Sequence, residues 1–202
     1  MINNPPFKPL QTFLLLCLAW PGISAAGGYP EIGEVHRFDG ELDRLLDSGA
    51  VIEKLTGNEF TWSEGPVWIS GRNELLFSDV PENTIWKWSE ESGLETFLKP
   101  SAMDDGREPN PSGQGSNGLM RSLQGGLLAA DHGSRSLIEI DLATKKQTAR
   151  AAEYGDKRFN SPNDLVVSRK RWAGAVFFSD PPFGLKGQEG SPLRELDFNG
   201  VY

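Results

Sequence analysis

Three times along the chain a polar residue heads an apolar run, and each time a second apolar run ends on an aspartate. The first unit opens at Ser63-Glu64-Gly65-Pro66, passes through Val67-Trp68-Ile69 and turns at Ser70-Gly71-Arg72-Asn73. It continues through Leu75-Leu76-Phe77-Ser78-Asp79 to Thr84-Ile85-Trp86-Lys87-Trp88. The second opens at Ser116-Asn117-Gly118-Leu119-Met120, runs to Gly126-Leu127-Leu128-Ala129-Ala130-Asp131 and then to Leu137-Ile138-Glu139-Ile140-Asp141. The third opens at Ser161-Pro162-Asn163-Asp164-Leu165-Val166-Val167 and runs to Val176-Phe177-Phe178-Ser179-Asp180. Short apolar runs separated by Gly and polar turns are strand signals. The heads at 64, 117 and 163 lie 53 and 46 residues apart, and the acids at 79, 131 and 180 lie 52 and 49 apart.

A period of about 40–50 residues built of short strands is the mark of a β-propeller blade. One blade cannot bury both faces of its sheet, so blades stack around an axis and their first strands line a channel. The polar heads are then predicted to converge on that channel. A sandwich also repeats strands and turns, but it does not explain heads and tails matched in type at a long, constant spacing. Outside the units, residues 34–50 are predicted to form a short helix or irregular lead-in, and Val51 to Phe60 a strand. Pro100 to Gly115 and Pro181 to Pro192 read as loops. Phe198-Asn199-Gly200-Val201-Tyr202 reads as the opening of a third strand in the last unit, with no partner for it. The sequence is therefore expected to be the N-terminal portion of a longer, all-β protein, covering about three blades.

Composition supports this picture. The chain has 202 residues with 23 Gly and 14 Pro, a turn-rich usage. Its net charge of -8 shows no basic face for phosphates, so nucleic acid is excluded as a partner. A small neutral molecule or a cation suits an acidic protein better. At the N-terminus Lys8, the apolar Phe13 to Trp20 and the small residues Ser24-Ala25-Ala26 read as a signal peptide over residues 1–26, with the mature protein on 27–202. Export to the periplasm or beyond is expected, with no membrane attachment after cleavage. The single cysteine, Cys17, falls inside that segment, which leaves the mature chain without a disulfide.

Each candidate residue has a functional and a structural reading. Glu64 is either a metal ligand or a solvated turn residue. Asn117 and Asn163 either face a site or cap turns with their own side chains. His132 is a weak candidate for general acid or base, and otherwise a hydrogen-bonded loop histidine. Asp79, Asp131 and Asp180 are expected to hold strand-end turns, and Trp62, Trp68, Trp86 and Trp88 to pack between sheets. No Gly-x-Ser-x-Gly elbow and no Cys/His cluster is present, which speaks against a serine hydrolase and a structural zinc site.

Six stretches in order, Ser63 to Trp68, Leu76 to Pro81, Ser116 to Leu119, Asp131 to Gly133, Asn160 to Asp164 and Phe178 to Gly184, resemble the senescence-marker-protein, gluconolactonase and luciferin-regenerating-enzyme-like family, in its gluconolactonase-like branch. The resemblance covers roughly residues 36–202. It implies a six-bladed propeller with one divalent metal in the channel, Ca²⁺ or Zn²⁺, and hydrolysis of lactones or related esters. Glu64 matches the family's first-blade metal ligand. Asn163 matches a polar residue beside metal and substrate. Asn117 is placed as a substrate contact and not as a metal ligand. The family's remaining ligands and its general-base Asp belong to later blades, past Tyr202. The turn Ser168-Arg169-Lys170-Arg171-Trp172 departs from the expected short polar turn. A metal-dependent lactonase is thus the first expectation, acting on a small lactone or sugar. A non-catalytic sugar- or Ca²⁺-binding propeller and an inactive truncated product are the alternatives.

Overall fold

From Ser63 onward, apolar runs interrupted by turns become antiparallel strands. The computed structural model describes residues 28–57, 59–108, 110–112 and 114–202. The expected signal peptide and Cys17 lie outside the described residues. The chain divides into two units, residues 1–57 and 58–202. In the first, the helix expected over 34–50 reduces to one 3-10 turn, Leu42–Arg44. The strand expected from Val51 to Phe60 does not form; a single bridge pairs Glu31 with Glu53. Val51 and Ile52 are exposed, so this stretch has no apolar face to bury, and pairing alone does not sustain a strand.

The second unit is built of meanders. Strands β1 (Ser63–Ile69), β2 (Glu74–Asp79), β3 (Thr84–Ser89) and β4 (Gly93–Leu98) form one antiparallel sheet in sequence order. Strands β5 (Ser116–Arg121), β6 (Leu127–Asp131), β7 (Ser136–Ile140) and β8 (Gln147–Ala151) form a second. A small hairpin, β9 (Glu153–Tyr154) and β10 (Lys157–Arg158), leads on to a three-stranded sheet of β11 (Leu165–Val167), β12 (Val176–Asp180) and β13 (Gly200–Val201). The fourth strands were not visible in the sequence. They are the outermost ones and expose Glu95, Thr96, Thr148 and Arg150; β4 sends Phe97 into the core and β8 has no buried residue. The closing stretch does find a partner, contrary to expectation: Gly200 and Val201 pair with Asp180 and Ser179 of β12.

The second sheet is buried on both faces. One apolar layer joins Ile69, Leu76, Ile85 and Phe97 of the first sheet to Leu119, Leu127, Ala129, Ile138 and Ile140. Another joins Leu128, Ala130 and Leu137 to Phe159, Leu165, Val167 and Phe178. Alternate residues of β6 thus serve opposite layers, as the two-residue strand period requires. That is why Leu127-Leu128-Ala129-Ala130 reads as a continuous apolar run. Burying each such Leu or Ile contributes roughly 1.5–3 kcal/mol. The tryptophans divide: Trp88 is buried as expected, whereas Trp62 and Trp68 are exposed and so do not pack between sheets.

The three strand-end acids hold backbone, as expected, and all are 0% exposed. Asp79 accepts from the N–H groups of Thr61, at 3.1 Å, and Trp62, at 3.0 Å. Asp131 accepts from the N–H groups of Met103, Gly133 and Ser134 and from the Ser134 hydroxyl. Asp180 accepts from Asn160 N–H at 2.8 Å. Asp79 and Asp180 therefore pin the chain just before β1 and β11, while Asp131 pins the loop from sheet one and its own turn. The first strands come together at this end, β1 against β5 and β5 against β11.

Candidate functional site

Backbone devices bring the three polar heads to one place. Glu64 is the second residue of β1, opposite Ser78, and the register slips between Glu64 and Val67. Asn117 is the second residue of β5, where the register slips between Ser116 and Leu119. Such bulges re-aim a side chain at a sheet edge. Gly65, with φ of +57°, permits the close approach: a Cβ there would lie 2.6 Å from both the Asn117 carbonyl oxygen and the Leu119 nitrogen. A Cβ at that distance is a backbone collision, so only glycine fits. The Ser78 hydroxyl donates to the Asn117 carbonyl at 2.8 Å. Gly118 N–H in turn donates to the Asn163 carbonyl at 2.8 Å. Asn163 itself stands two residues before β11, held by its N–H to Ser179 O at 2.9 Å.

The result is a pocket of about 460 Å³. Glu64, Asn117, Asn163 and His132 line it, with Thr61, Trp62, Val80, Pro81, Gln114 and Phe183. A larger hollow of about 610 Å³ lies over Trp68, Glu74, Lys87 and Glu95, but it holds none of the heads and its walls are solvated ion pairs. In the head-lined pocket the two asparagine side chains are unspent. Asn117 is 7% exposed, yet its hydrogen bond and those of Asn163 run through the backbone rather than the side-chain amides. This sets aside the turn-capping reading of both asparagines. Glu64 accepts one bond, from the Trp62 indole N–H to Oε1 at 2.8 Å. Neither amide is closed off from solvent, and each keeps its donors and acceptor free for a ligand.

His132 is 2% exposed. Its Nδ1 lies 2.9 Å from Gln114 Oε1, while Nε2 is buried without a partner. Burial pushes its pKa down to about 4, so the ring is neutral near pH 7. Burial acts in the opposite sense on the acids, raising Asp180 to about 6 and raising Asp131 in spite of its hydrogen bonds.

The structure thus gathers Glu64, Asn117, Asn163 and His132, and leaves Asp79, Asp131 and Asp180 out of the pocket wall. It adds three residues that the sequence did not single out for the site. Trp62 and Phe183 are 64% and 57% exposed and form an aromatic part of the wall, and Gln114 orients the histidine. Trp62 had a usable signal, because it stands two residues before Glu64 and extended chain places such residues on one side. Among the described residues no three His, Cys, Asp or Glu side chains cluster as a metal centre. The donors present are one carboxylate and two amides, a hard-oxygen set suited to Ca²⁺. Among the described residues no helix is long and apolar enough to cross a membrane.

Residues 62–200 match the SMP-30/Gluconolactonase/LRE-like region, and the chain belongs to that family. Its relatives include the gluconolactonase of Zymomonas mobilis, 42% identical over 175 residues, which cover 85% of this chain and 47% of that protein. The chain spans about half the length of this curated relative. Among solved structures, the Xanthomonas campestris gluconolactonase superposes with a TM-score of 0.67 at 28% identity, over 87% of this chain and 54% of that one. A structural-genomics gluconolactonase candidate gives 0.61 at 31% identity, over 74% and 47%.

Proposed function

We propose that this chain supplies the substrate pocket of a lactone hydrolase that opens a sugar lactone. The observation carrying this reading is that three successive sheets deliver Glu64, Asn117 and Asn163, each with side-chain capacity unspent, to one pocket. Family membership and the gluconolactonase relatives support the same reaction class. In this reading the three sheets are consecutive blades of a six-bladed propeller.

The donor set fits a divalent cation, held here by Glu64 and Asn163, with Ca²⁺ favoured over Zn²⁺ by the oxygen ligands. When bound, such an ion supplies Lewis acidity toward a carbonyl oxygen and a lowered pKa for water. The protein's own groups do the rest. The Trp62 indole N–H fixes one carboxylate oxygen of Glu64 and leaves the other for the ion. The Asn117 amide, nearly buried, orients ring hydroxyls or the ring oxygen by hydrogen bonding. Trp62 and Phe183 offer apolar faces to the ring carbons, which a sugar ring carries on its own faces. Hydrolysis adds water across the ester C–O bond and yields the open hydroxy acid.

The test is glucono-δ-lactone hydrolysis by the protein at its natural length, before and after chelation. The proposal expects turnover above the spontaneous rate, lost with chelator and recovered with Ca²⁺. Turnover no faster than the buffer blank contradicts it. Export with cleavage near Ala26 belongs to the same proposal; a host-purified protein whose mass retains Met1 to Leu10 would contradict that part.

A further inference from the structure

We propose that His132 determines specificity in this pocket: its Nε2 lone pair accepts a hydrogen bond from a hydroxyl on the substrate ring, selecting hydroxylated lactones over bare ones. This rests on the lactonase reading and names a residue that discriminates within it.

The ring is locked in place from several sides. Asn110 Nδ2 donates to the His132 carbonyl at 3.0 Å and to the Gly184 carbonyl at 2.7 Å, tying together the chain segments on either side of the imidazole. His132 N–H donates to Gly115 O at 3.2 Å. Gly184 lies flat against the ring; a Cβ there would be 2.5 Å from His132 Cγ. Ser161 holds that glycine, donating to Pro181 O and accepting from Gly184 N–H at 2.8 Å.

The tautomer follows from the neighbours. Gln114 presents Oε1 to Nδ1 at 2.9 Å, and an oxygen only accepts, so Nδ1 carries the proton. Nε2 is then a bare lone pair, buried and without a partner among the described residues. An unmet buried acceptor destabilises a fold, and such exceptions point to a role. His132 lines the pocket with Glu64, Asn117 and Asn163; Nε2 itself is closed to solvent in the free protein, so a ligand meets the acceptor once the wall over it gives way on binding. The ligand atom must be a donor. A lactone carbonyl and a ring oxygen are acceptors only; the donors of a sugar lactone are its hydroxyls. A site built to hydrogen-bond a hydroxyl rejects an analogue without it far more strongly than an apolar wall does.

The experiment compares glucono-δ-lactone with δ-valerolactone, which lacks hydroxyls, using the protein at natural length. With His132→Phe, the preference in kcat/KM for glucono-δ-lactone over δ-valerolactone should fall about tenfold or more, carried by KM for glucono-δ-lactone. His132→Gln, which restores an acceptor, should recover part of the loss. A fall in kcat on both substrates makes His132 a general base or a packing residue and overturns the proposal. A second reading needs no variant. The chain has two histidines, so the ring ¹⁵N signals are readily assigned. On titration with a non-hydrolysable gluconolactam, the Nε2 resonance of His132 should shift while His36 stays still. A shift absent at saturation, or a proton found on Nε2 in the free protein, overturns the proposal even if both variants misfold. Hydrolysis of both lactones with no His132 effect sinks this inference alone; hydrolysis of neither sinks the lactonase reading, and the inference with it.

Discussion

Two sets of polar residues occupy the same end of the sheets, and they are spent differently. Ser63 pairs with Asp79 and Glu64 with Ser78 across β1 and β2, so the acids Glu64 and Asp79 are near neighbours. Asp79 is fully buried and takes two backbone N–H groups. Glu64 is half-buried, takes one indole N–H and faces the pocket. The same split recurs in the next two sheets. Asp131 and Asp180 are sunk into turns and backbone, while Asn117 and Asn163 keep their side-chain amides for the pocket. One set fixes the strand ends and the other is left available. A polar residue at a sheet end is therefore not a site until its hydrogen bonds have been counted.

Substitutions can break this division. The largest effect is expected at the fixed set. Asp131→Ala leaves three N–H groups and a hydroxyl without their acceptor, and should cost about 3–5 kcal/mol. Denaturant unfolding should show a lower midpoint. If the site were equally dependent on Asp131, ligand affinity of the remaining folded fraction would fall too; we expect it unchanged. Next comes Glu64→Gln, which keeps shape but removes charge. If Glu64 holds a divalent ion as proposed, loss of its charge should lower affinity by about 3 kcal/mol, on the order of a hundredfold. Hydrolysis at limiting Ca²⁺ should drop accordingly and partly return at high Ca²⁺, with the melting temperature unmoved.

The third test uses pH. Asp180 is raised from 3.8 to about 6 by burial, so the native state holds its proton more tightly than the unfolded one. Its contribution to stability falls as pH climbs from about 4 to 6. His132, lowered from 6.5 to about 4, has the opposite slope over nearly the same window, because the unfolded chain binds the proton first. The two offset each other in the parent. In Asp180→Asn the offset is lifted, and stability relative to the parent should gain about 2 kcal/mol between pH 4 and 7. Urea unfolding at both pH values checks the sign; a gain toward low pH contradicts it. The smallest effect is Trp62→Phe. It removes the donor to Glu64 from an exposed side chain, so affinity should weaken by about 1 kcal/mol, roughly fivefold, with no loss of stability.

The sequence made the first three strands of two sheets legible, because Leu76, Leu127 and Ile138 belong to buried layers that impose apolar runs. It hid the outer strands, where β4 buries only Phe97 and β8 buries nothing, too little to impose a repeating apolar pattern. The heads were legible as a repeat, since Glu64, Asn117 and Asn163 share a place in the unit. Their convergence was an expectation that rested on fold geometry, and the bulges beside Glu64 and Asn117 that aim them leave no trace in hydropathy. Trp62 misled because a tryptophan signals packing before it signals a hydrogen bond. Gln114 lies in a loop and Phe183 in a short 3-10 turn, Pro182–Gly184, and their positions are set by contacts distant in sequence, such as Asn110 bridging to Gly184.

As proposed, the available set, and not the fixed set, holds the ligand. Calorimetric titration with Ca²⁺ tests it most directly, on the parent, Glu64→Gln, Asn163→Ala and Asp79→Asn at equal folded concentration. Affinity should fall by about a hundredfold in Glu64→Gln, weaken in Asn163→Ala and stay unchanged in Asp79→Asn. Equal binding by parent and Glu64→Gln, or a loss confined to Asp79→Asn, would contradict it.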